Sequence, residues 1–393
     1  MTDRERILAT IRGQAPDRVP FVPRLDFWHR AHRRNGTLPA EFSGMSVGQI
    51  ADRLGASRYS IIPDFTRQEH ELDMIDYGLG IFRLPTLLYE PQLDGCVDRR
   101  VTRRGSEIAV EYHTPAGSIR TAFLFTPEML DAGASVPWIT GHAIRKPADF
   151  EVVAYIFAHL KVLPRLERYR AQREDMGERG IVVAWLGGSA CPIHHILREL
   201  MPVEQFFYAL HDEPARVHSL AAAMAPYYEG IRAAGLDSEA EVVFLGGNYD
   251  DAITHPAFFR KYILPALRSY AEALHARGKF LMTHTDGENR RLMPLYREAA
   301  FDVADSVCPH PMTRLTLDEL LEGFAGRITL CGGIPSVLLC RESASESTFR
   351  EFIRNVVQRH GRRSRFILGV SDMVTADADL DRLRYLADTV RSF

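Results

Sequence analysis

The sequence lacks the signals that mark several large classes of protein. No apolar run reaches the roughly 18–20 residues that a membrane-spanning helix requires, and no GxGxxG or Walker A motif indicates a nucleotide site. The five cysteines are scattered and include no CxxC pair, which argues against a disulfide scaffold and against a zinc ribbon. The formal net charge is only −3 and acidic and basic residues are intermixed, so the chain has no electrostatic footprint for nucleic acid.

The first residues of the chain do not contain the apolar core of a signal peptide. We therefore expect a cytoplasmic protein that does not associate with a membrane. A chain of 393 residues can bury a large core, either in one α/β barrel or in two domains. The order of the predicted strands and helices decides between these two organisations.

Short apolar strands alternate with helices from about residue 147 onward. Two earlier segments, Asp17–Asp26 and Tyr59–Pro63, also have the pattern of strands, whereas Phe150–Arg173 has the pattern of a helix. The later predicted strands are Ile181–Gly187, Glu241–Gly246, Lys279–Thr283, Asp302–Val307, Arg327–Cys331 and Arg365–Leu368. Because alternating strands and helices require a parallel sheet, about eight such strands predict a (β/α)8 TIM barrel. We therefore expect residues 1–393 to form a single barrel domain.

Residues 90–145 do not follow this alternation. The stretch from Val97 to Phe125 is rich in Val, Thr, Ile, Tyr and Phe, which are typical strand residues. Turn signals fall at Arg104-Gly105-Ser106 and at Pro115-Ala116-Gly117. We predict antiparallel hairpins that form a β-rich insertion within the barrel domain.

The segment from Lys279 to Glu288 carries the strongest chemical signal. Its apolar run stops at His284, Asp286 follows two residues later, and Gly287 permits the chain to turn away. Residues two apart on a strand point to the same side, so His284 and Asp286 are expected to converge at the end of this strand. An imidazole and a carboxylate in that position can bind a metal ion or transfer a proton. His284 alone would also fit a buried core histidine.

In a (β/α)8 barrel the chemistry takes place at the carboxyl ends of the strands. Polar residues that follow the other predicted strands are therefore further candidates. They are Asp26, Asp64, Asn248, Asp250, Asp251, Cys308, His310, Cys331, Ser371 and Asp372. Asp250 and Asp251 have a structural alternative, because they could cap the helix that begins near Pro256.

The cysteines leave two questions open. Cys308 and Cys331 could be buried small apolar residues, or they could supply thiolates at the mouth of the barrel. Cys191, His194 and His195 form a rival cluster with the spacing of metal ligands, just before an apparent helix.

Several short segments occur in a characteristic order over nearly the whole chain. They are Asp17-Arg-Val-Pro20, Thr114-Pro-Ala-Gly117, Asp250-Asp251 with Pro256-Ala-Phe-Phe259, His284-Thr-Asp-Gly287, Cys331-Gly-Gly-Ile334 and Leu368-Gly369. Together they resemble the uroporphyrinogen decarboxylase superfamily, which includes the corrinoid- and coenzyme M-linked methyltransferases. The resemblance implies a (β/α)8 barrel and a homodimer.

The chain departs from both branches of that superfamily. Uroporphyrinogen decarboxylases carry an N-terminal Arg-Gln-Ala-Gly-Arg-Tyr type of motif; here Pro23–Arg30 retains only Arg24 and Arg30. Their C-terminal Gly-His-Gly is replaced by Gly369-Val-Ser-Asp372. The methyltransferases hold zinc with a His-x-Cys-Gly segment and a later cysteine. His284 matches that histidine, Asp286 replaces the first cysteine, and Asp372 or Ser371 falls near the second.

The resemblance leads to a methyltransferase as the main functional hypothesis. It would move a methyl group between a small methylated compound and a corrinoid carried on a partner protein. The catalytic residues would be His284, Asp286, Asp250 and Asp251. A zinc ion would be held by His284, Asp286 and Asp372. The substrate would contact Arg24, Asp26, Asp64 and Asn248. One alternative is a metal-free decarboxylase of a small or tetrapyrrole-like carboxylic acid, with Arg24 or Arg30 on the carboxylates. Another is a ligand-binding barrel without catalysis.

Overall fold

The computed structural model describes residues 1–62, 71–324 and 326–393, and its strands form three sheets. The strands are β1 Arg58–Ile62, β2 Tyr89–Leu93, β3 Asp98–Arg104, β4 Glu107–Thr114, β5 Gly117–Leu124, β6 Trp138–Gly141, β7 Leu160–Pro164, β8 Gly180–Gly187, β9 Val242–Leu245, β10 Phe280–His284, β11 Val303–Val307, β12 Thr329–Ile334 and β13 Phe366–Val370. One sheet is parallel and has the order β1-β8-β9-β10-β11-β12-β13. The carboxyl ends of these seven strands therefore lie at one edge of the sheet.

Helices occupy much of the rest of the chain. They are α1 Asp3–Ile11, α2 Asp26–Arg34, α3 Val47–Leu54, α4 Pro127–Asp131, α5 Asp149–Ala158, α6 Glu167–Met176, α7 Pro192–His195, α8 Val203–Asp212, α9 Pro214–Asp237, α10 Pro256–Phe258, α11 Leu264–His275, α12 Met293–Ala299, α13 Leu317–Gly323, α14 Glu346–His360 and α15 Leu380–Ser392. Helices α6 and α9 pack on β8, and α11 packs on β10. Strands β11, β12 and β13 are buried along their whole length, as is typical of parallel strands covered on both faces. Within the part of the chain that is described, no helix combines the length and the apolar character that crossing a membrane demands.

The segment Pro20–Val22 joins the two edges of the parallel sheet. Phe21 forms a parallel bridge with Leu368 of β13, and the Val22 N–H donates to the Leu368 carbonyl oxygen at 2.8 Å. On the other side, the Ser57 N–H donates to the Phe21 carbonyl oxygen at 2.9 Å, just before β1. The fold is therefore mixed α/β with a curled, TIM-like parallel sheet.

The predicted first strand, Asp17–Asp26, is wrong in extent. Only the bridge at Phe21 forms, and α2 already begins at Asp26. Pro20 and Pro23 explain this difference, because proline has no N–H to donate to a neighbouring strand. Within the described residues the sheet consequently has seven strands and one bridge, where eight strands were predicted.

Two smaller antiparallel sheets lie outside the parallel one. Strands β3 to β6 form a four-stranded sheet in chain order, with tight turns at Gly105 and at Pro115-Ala116. Strand β7 pairs with β2, from Leu93 opposite Leu160 to Tyr89 opposite Pro164. The single helix predicted over Phe150–Arg173 is therefore wrong, because β7 divides it into α5 and α6.

Candidate active site

Adjacent ends of β10 and β11 bring an imidazole and a carboxylate together. His284 and Asp305 are register partners in the parallel sheet, and the Nδ1 atom of His284 lies 2.9 Å from Oδ2 of Asp305. The Asp305 side chain is only 1% exposed. Burying a carboxylate is unfavourable unless it is paired and hydrogen-bonded, so this contact fixes the orientation of the His284 ring.

The other ring nitrogen of His284 faces two further carboxylates. The Nε2 atom lies 3.5 Å from Oδ2 of Asp286 and 3.6 Å from Oδ1 of Asp372. Asp286 reaches this point from the loop after β10, and Asp372 reaches it from the loop after β13 with a backbone φ of 50°. Two of the three residues predicted to form the metal site thus face one ring nitrogen of the third.

Arg24 and Ser306 complete the cluster from the side of Asp305. The Nη1 atom of Arg24 lies 3.8 Å from Asp305 Oδ2 and 3.6 Å from Asp372 Oδ1, and it donates to the Ser306 hydroxyl at 3.3 Å. The Ser306 hydroxyl lies 3.1 Å from Asp305 Oδ2 and donates to it. The Tyr59 hydroxyl donates to the other oxygen of Asp305 at 3.4 Å. The buried carboxylate is therefore surrounded by donors.

These contacts set the protonation states of the cluster. Burial acts to lower the pKa of His284, but the charges and hydrogen bonds of Asp286, Asp305 and Asp372 outweigh it and raise the pKa to about 10. Burial acts to raise the pKa of Asp305, yet His284 and Arg24 hold it below its usual range. The pKa of Asp286 is likewise lowered, against the effect of burial, by His284. The cluster thus contains two cations and three carboxylates.

The donor set fits a metal ion. A histidine that binds zinc usually donates its second ring N–H to a carboxylate, as the Nδ1 of His284 does with Asp305. Two ligand atoms that each lie about 2.1 Å from a tetrahedral zinc ion are about 3.4 Å apart. The distances of 3.5 and 3.6 Å from His284 Nε2 to Asp286 and Asp372 match that separation.

Asp286 and Asp372 must still approach each other for one ion to bind all three groups. Among the described residues, three ligand atoms lie within 4.8 Å of one another only at Asp94, Cys96 and His159, far along the chain from this site. The Asp372 side chain is 42% exposed and so is free of the packing that holds Asp305. A movement of this side chain toward Asp286, away from Arg24 and Ser306, would be needed to close the set.

Asp250 and Asp251, which were predicted to be catalytic, bind backbone N–H groups. The Asp250 carboxylate accepts hydrogen bonds from the Glu288 and Ala252 N–H groups, and the Asp251 carboxylate accepts one from the Arg291 N–H. Both therefore hold the loop that carries Asp286. Neither caps α10, whose cap is His255.

Two more predicted residues lie at or beyond the edge of the cluster. Asp26 is the first residue of α2, is half-buried and contributes to the electrostatic environment of Arg24. Asn248 is exposed, with a φ of 54°. Asp64 lies outside the described residues.

In the metal-free protein, burial disfavours thiolates at Cys308 and Cys331. Cys331 lines a cavity of about 10 Å³ beside Arg24 and Asp305, and burial raises the pKa of its thiol. The Cys308 thiol donates to the Ser306 carbonyl oxygen at 3.3 Å, and burial followed by the charge of Asp286 raises its pKa to about 12. Both thiols therefore stay protonated at neutral pH.

The rival cluster of Cys191, His194 and His195 is buried in the core. His194 Nδ1 accepts the Ala190 N–H at 3.2 Å. His195 contacts the Tyr228 hydroxyl at 3.1 Å and the Leu79 carbonyl oxygen at 2.8 Å, so both of its nitrogens are engaged. Core contacts thus account for three of the four ring nitrogens.

Comparison with known proteins agrees with this picture of the fold. A family model described as uroporphyrinogen decarboxylase (URO-D) matches residues 131–393. Among solved structures, a methyltransferase from Methanosarcina mazei is similar with a TM-score of 0.54 and 14% sequence identity, over 100% of this chain and 99% of that chain. At this identity the likeness concerns the fold alone. No curated protein matches the sequence.

Proposed function

Because the chain belongs to the uroporphyrinogen decarboxylase family, we propose that it is a methyltransferase of that family. It would move a methyl group between a small methylated compound and a corrinoid carried on a partner protein. One observation carries this proposal: Asp286 and Asp372 both face Nε2 of His284, at the positions where the resemblance implies the zinc ligands of the methyltransferases. The similar Methanosarcina protein, a methyltransferase by name, supports the same choice.

In this proposal His284, Asp286 and Asp372 would hold a zinc ion. When bound, zinc would act as a Lewis acid on the group that gives or accepts the methyl. Asp305 keeps the His284 ring in place and fixes which nitrogen points toward the ligands. Arg24 balances the charge of Asp305 and Asp372.

Without a metal ion, His284 would handle a proton instead. Its raised pKa keeps Nε2 protonated at neutral pH, and this N–H points toward the two carboxylates. When a methyl group leaves a small compound, the atom that loses it gains negative charge. His284 could donate the Nε2 proton to that atom as a general acid.

The charge of the cluster favours methyl transfer over decarboxylation. The substrate of a decarboxylase would bring a further carboxylate to a site that already holds those of Asp286, Asp305 and Asp372. Arg24, the residue expected to hold a substrate carboxylate, already faces Asp305 and Asp372. A neutral or cationic methyl compound meets no such repulsion.

The domain organisation belongs to the same proposal. We treat the whole chain as one (β/α)8-type barrel domain in which Pro20–Val22 takes the place of the eighth strand. The sheet of β3 to β6 would be an insertion within residues 90–145 of that domain.

Metal content is the first test. We would measure zinc by elemental mass spectrometry in the wild-type protein, His284→Ala, Asp286→Ala and the control Asp388→Ala, whose side chain is 64% exposed. We expect the first two variants to lose one zinc ion relative to the wild type and the control to lose none. Equal zinc in all four proteins, even after reconstitution, would remove the metal from the proposal and leave His284 as the proton donor.

Methyl transfer is the second test. The purified protein would be mixed with reduced corrinoid protein and a panel of methylated amines, thiols and ethers, and methylcobalamin formation followed by its absorbance. We expect methylation that His284→Ala abolishes. If no donor gives methylcobalamin while a carboxylic acid releases carbon dioxide without metal or corrinoid, the decarboxylase is the right reading. Ligand binding without any turnover would instead favour the non-catalytic barrel.

A further inference from the structure

Three side chains with metal-ligand chemistry meet outside the parallel sheet. Asp94 and Cys96 lie in the turn between β2 and β3, and His159 lies between α5 and β7. A carboxylate oxygen, a thiol sulfur and a ring nitrogen from these residues all lie within 4.8 Å of one another. None of the three takes part in the function proposed above.

The ring of His159 is already oriented for a ligand. Its Nδ1 atom lies 2.8 Å from the Tyr155 carbonyl oxygen, so Nδ1 carries the hydrogen and donates it. The ring also stacks on the Tyr155 ring, with centroids 3.9 Å apart and planes 20° apart. The lone pair is therefore on Nε2, and zinc-binding histidines commonly have this hydrogen bond to a carbonyl oxygen.

Backbone hydrogen bonds hold the two ligand-bearing segments together. The Asp94 N–H donates to the His159 carbonyl oxygen at 3.1 Å, which joins the turn to the end of α5. The Cys96 N–H donates to Oδ1 of Asp94 at 2.9 Å, which leaves the other carboxylate oxygen for a metal. The scaffold of the site thus exists before any ion binds.

We propose that Asp94, Cys96 and His159 form a zinc site. Sulfur, nitrogen and oxygen donors together suit Zn²⁺ better than a hard cation such as Mg²⁺. Ligand atoms around a tetrahedral zinc ion are about 3.4–3.6 Å apart, and these three lie within 4.8 Å of one another, so no pair has to close by more than about 1.4 Å. Cys96 is exposed and its sulfur moves with a single torsion, so it can make that adjustment. Water would take the fourth position.

Cobalt absorption tests this site separately from the strand-end site. Chelator-treated protein would be titrated with Co²⁺, because cobalt bound to a thiolate gives a charge-transfer band in the near ultraviolet. We expect the band in the wild-type protein and in His284→Ala, since the strand-end ligands contain no sulfur. Cys96→Ser should abolish it, and added Zn²⁺ should displace it.

The controls make the result decisive. Cys340→Ser removes a thiol that lies 3.2 Å from Asp377 and should leave the band unchanged. Asp94→Asn and His159→Gln should each weaken Co²⁺ binding by at least about tenfold, because mutating even a residue that only hydrogen-bonds to a metal ligand typically lowers metal affinity by that factor. Absence of the band in the wild-type protein would overturn the proposal, and so would a band that persists in Cys96→Ser. Circular dichroism would establish that each variant is folded.

Discussion

Arg24 is the residue on which the charge balance of the strand-end cluster depends. Its guanidinium faces Asp305 and Asp372 and donates to Ser306, and its side chain is only 16% exposed. Burial acts to lower its pKa, but the charges of Asp305 and Asp372 keep it above the usual value. Asp305 is more deeply buried than Arg24. If Arg24 were removed, the Asp305 carboxylate would stay buried without one of the positive charges that face it.

Replacing Arg24 with alanine should therefore destabilise the protein. Removing one partner of a buried ion pair typically lowers stability by about 3–5 kcal/mol, because the other charge stays buried. We expect a loss of about 3 kcal/mol, since His284 still contacts Asp305. Urea unfolding would measure it. The control Arg341→Ala breaks an ion pair whose arginine is 61% exposed and should lower stability far less, because solvent screens an exposed pair. Equal losses in the two variants would contradict this assignment.

The five thiols should differ in reactivity. Cys96 is exposed, whereas Cys191, Cys308, Cys331 and Cys340 are buried. Burial raises the pKa of Cys308 to about 12 and that of Cys191 to about 11, which removes the reactive thiolate. We expect iodoacetamide to alkylate only Cys96 in the native, metal-free protein and all five cysteines after unfolding. Mass spectrometry would count the adducts, and fast alkylation of a second native thiol would contradict the buried placement.

The residues of the site differ in how far the sequence reveals them. His284 and Asp286 stand out because they end an apolar run with two-residue spacing. Asp305, the carboxylate that orients His284, was missed because it lies inside the apolar strand β11 and precedes no turn. A charged residue within an otherwise apolar strand was the available signal, since such a residue is rarely buried without a partner.

At the scale of elements, the loops after β9 and β10 position Asp286 together. Asp250 accepts the Glu288 N–H, and the Asp251 N–H donates to the Glu288 carbonyl oxygen at 2.9 Å. Gly287 lies where the two loops approach each other closely. A Cβ atom there would be 2.3 Å from the Tyr249 carbonyl oxygen.

Gly287→Ala should therefore separate the two loops. A contact of 2.3 Å with backbone cannot be relieved by a side-chain rotation, so we expect a loss of about 1–3 kcal/mol in stability. We also expect weaker zinc binding, because Asp286 moves with the loop. Gly187→Ala is the matched control, since its Cβ would meet only Ile231, at 3.9 Å. Chemical denaturation and zinc titration of both variants would check this, and similar behaviour of the two would rule it out.

One predicted element failed because the deciding contact is distant in sequence. The helix over Phe150–Arg173 is interrupted because Leu160–Pro164 pairs with β2, about 70 residues earlier in the chain. By contrast, the capping box of α1 is local, and both of its hydrogen bonds between Thr2 and Glu5 are formed. Local signals thus predict helix starts and strand ends, whereas the choice between helix and strand at β7 depends on its partner.

At the scale of the whole molecule, buried neutral histidines link stability to pH. His194 and His195 are 0% and 2% exposed. Burial is the largest influence on both and lowers the pKa of each below the usual value. Arg198 acts in the same direction on both, and Glu199 opposes it at His195. In the unfolded chain these histidines would regain a pKa near 6.5.

The protein should therefore lose stability as the pH falls below about 6.5. In that range the unfolded chain binds protons that the folded protein does not, so each histidine contributes a slope of up to about 1.4 kcal/mol per pH unit. In the metal-free protein His284 does not add to this loss, because its pKa of about 10 keeps it protonated when folded and its stabilising effect is fully present below the unfolded pKa near 6.5. We expect His194→Gln and His195→Gln each to reduce the slope of unfolding free energy between pH 6.5 and 5. The exposed His211, with 88% of its side chain accessible, provides the control His211→Gln. If that control reduced the slope as much as the two core variants do, the buried histidines would not be the source of the pH dependence.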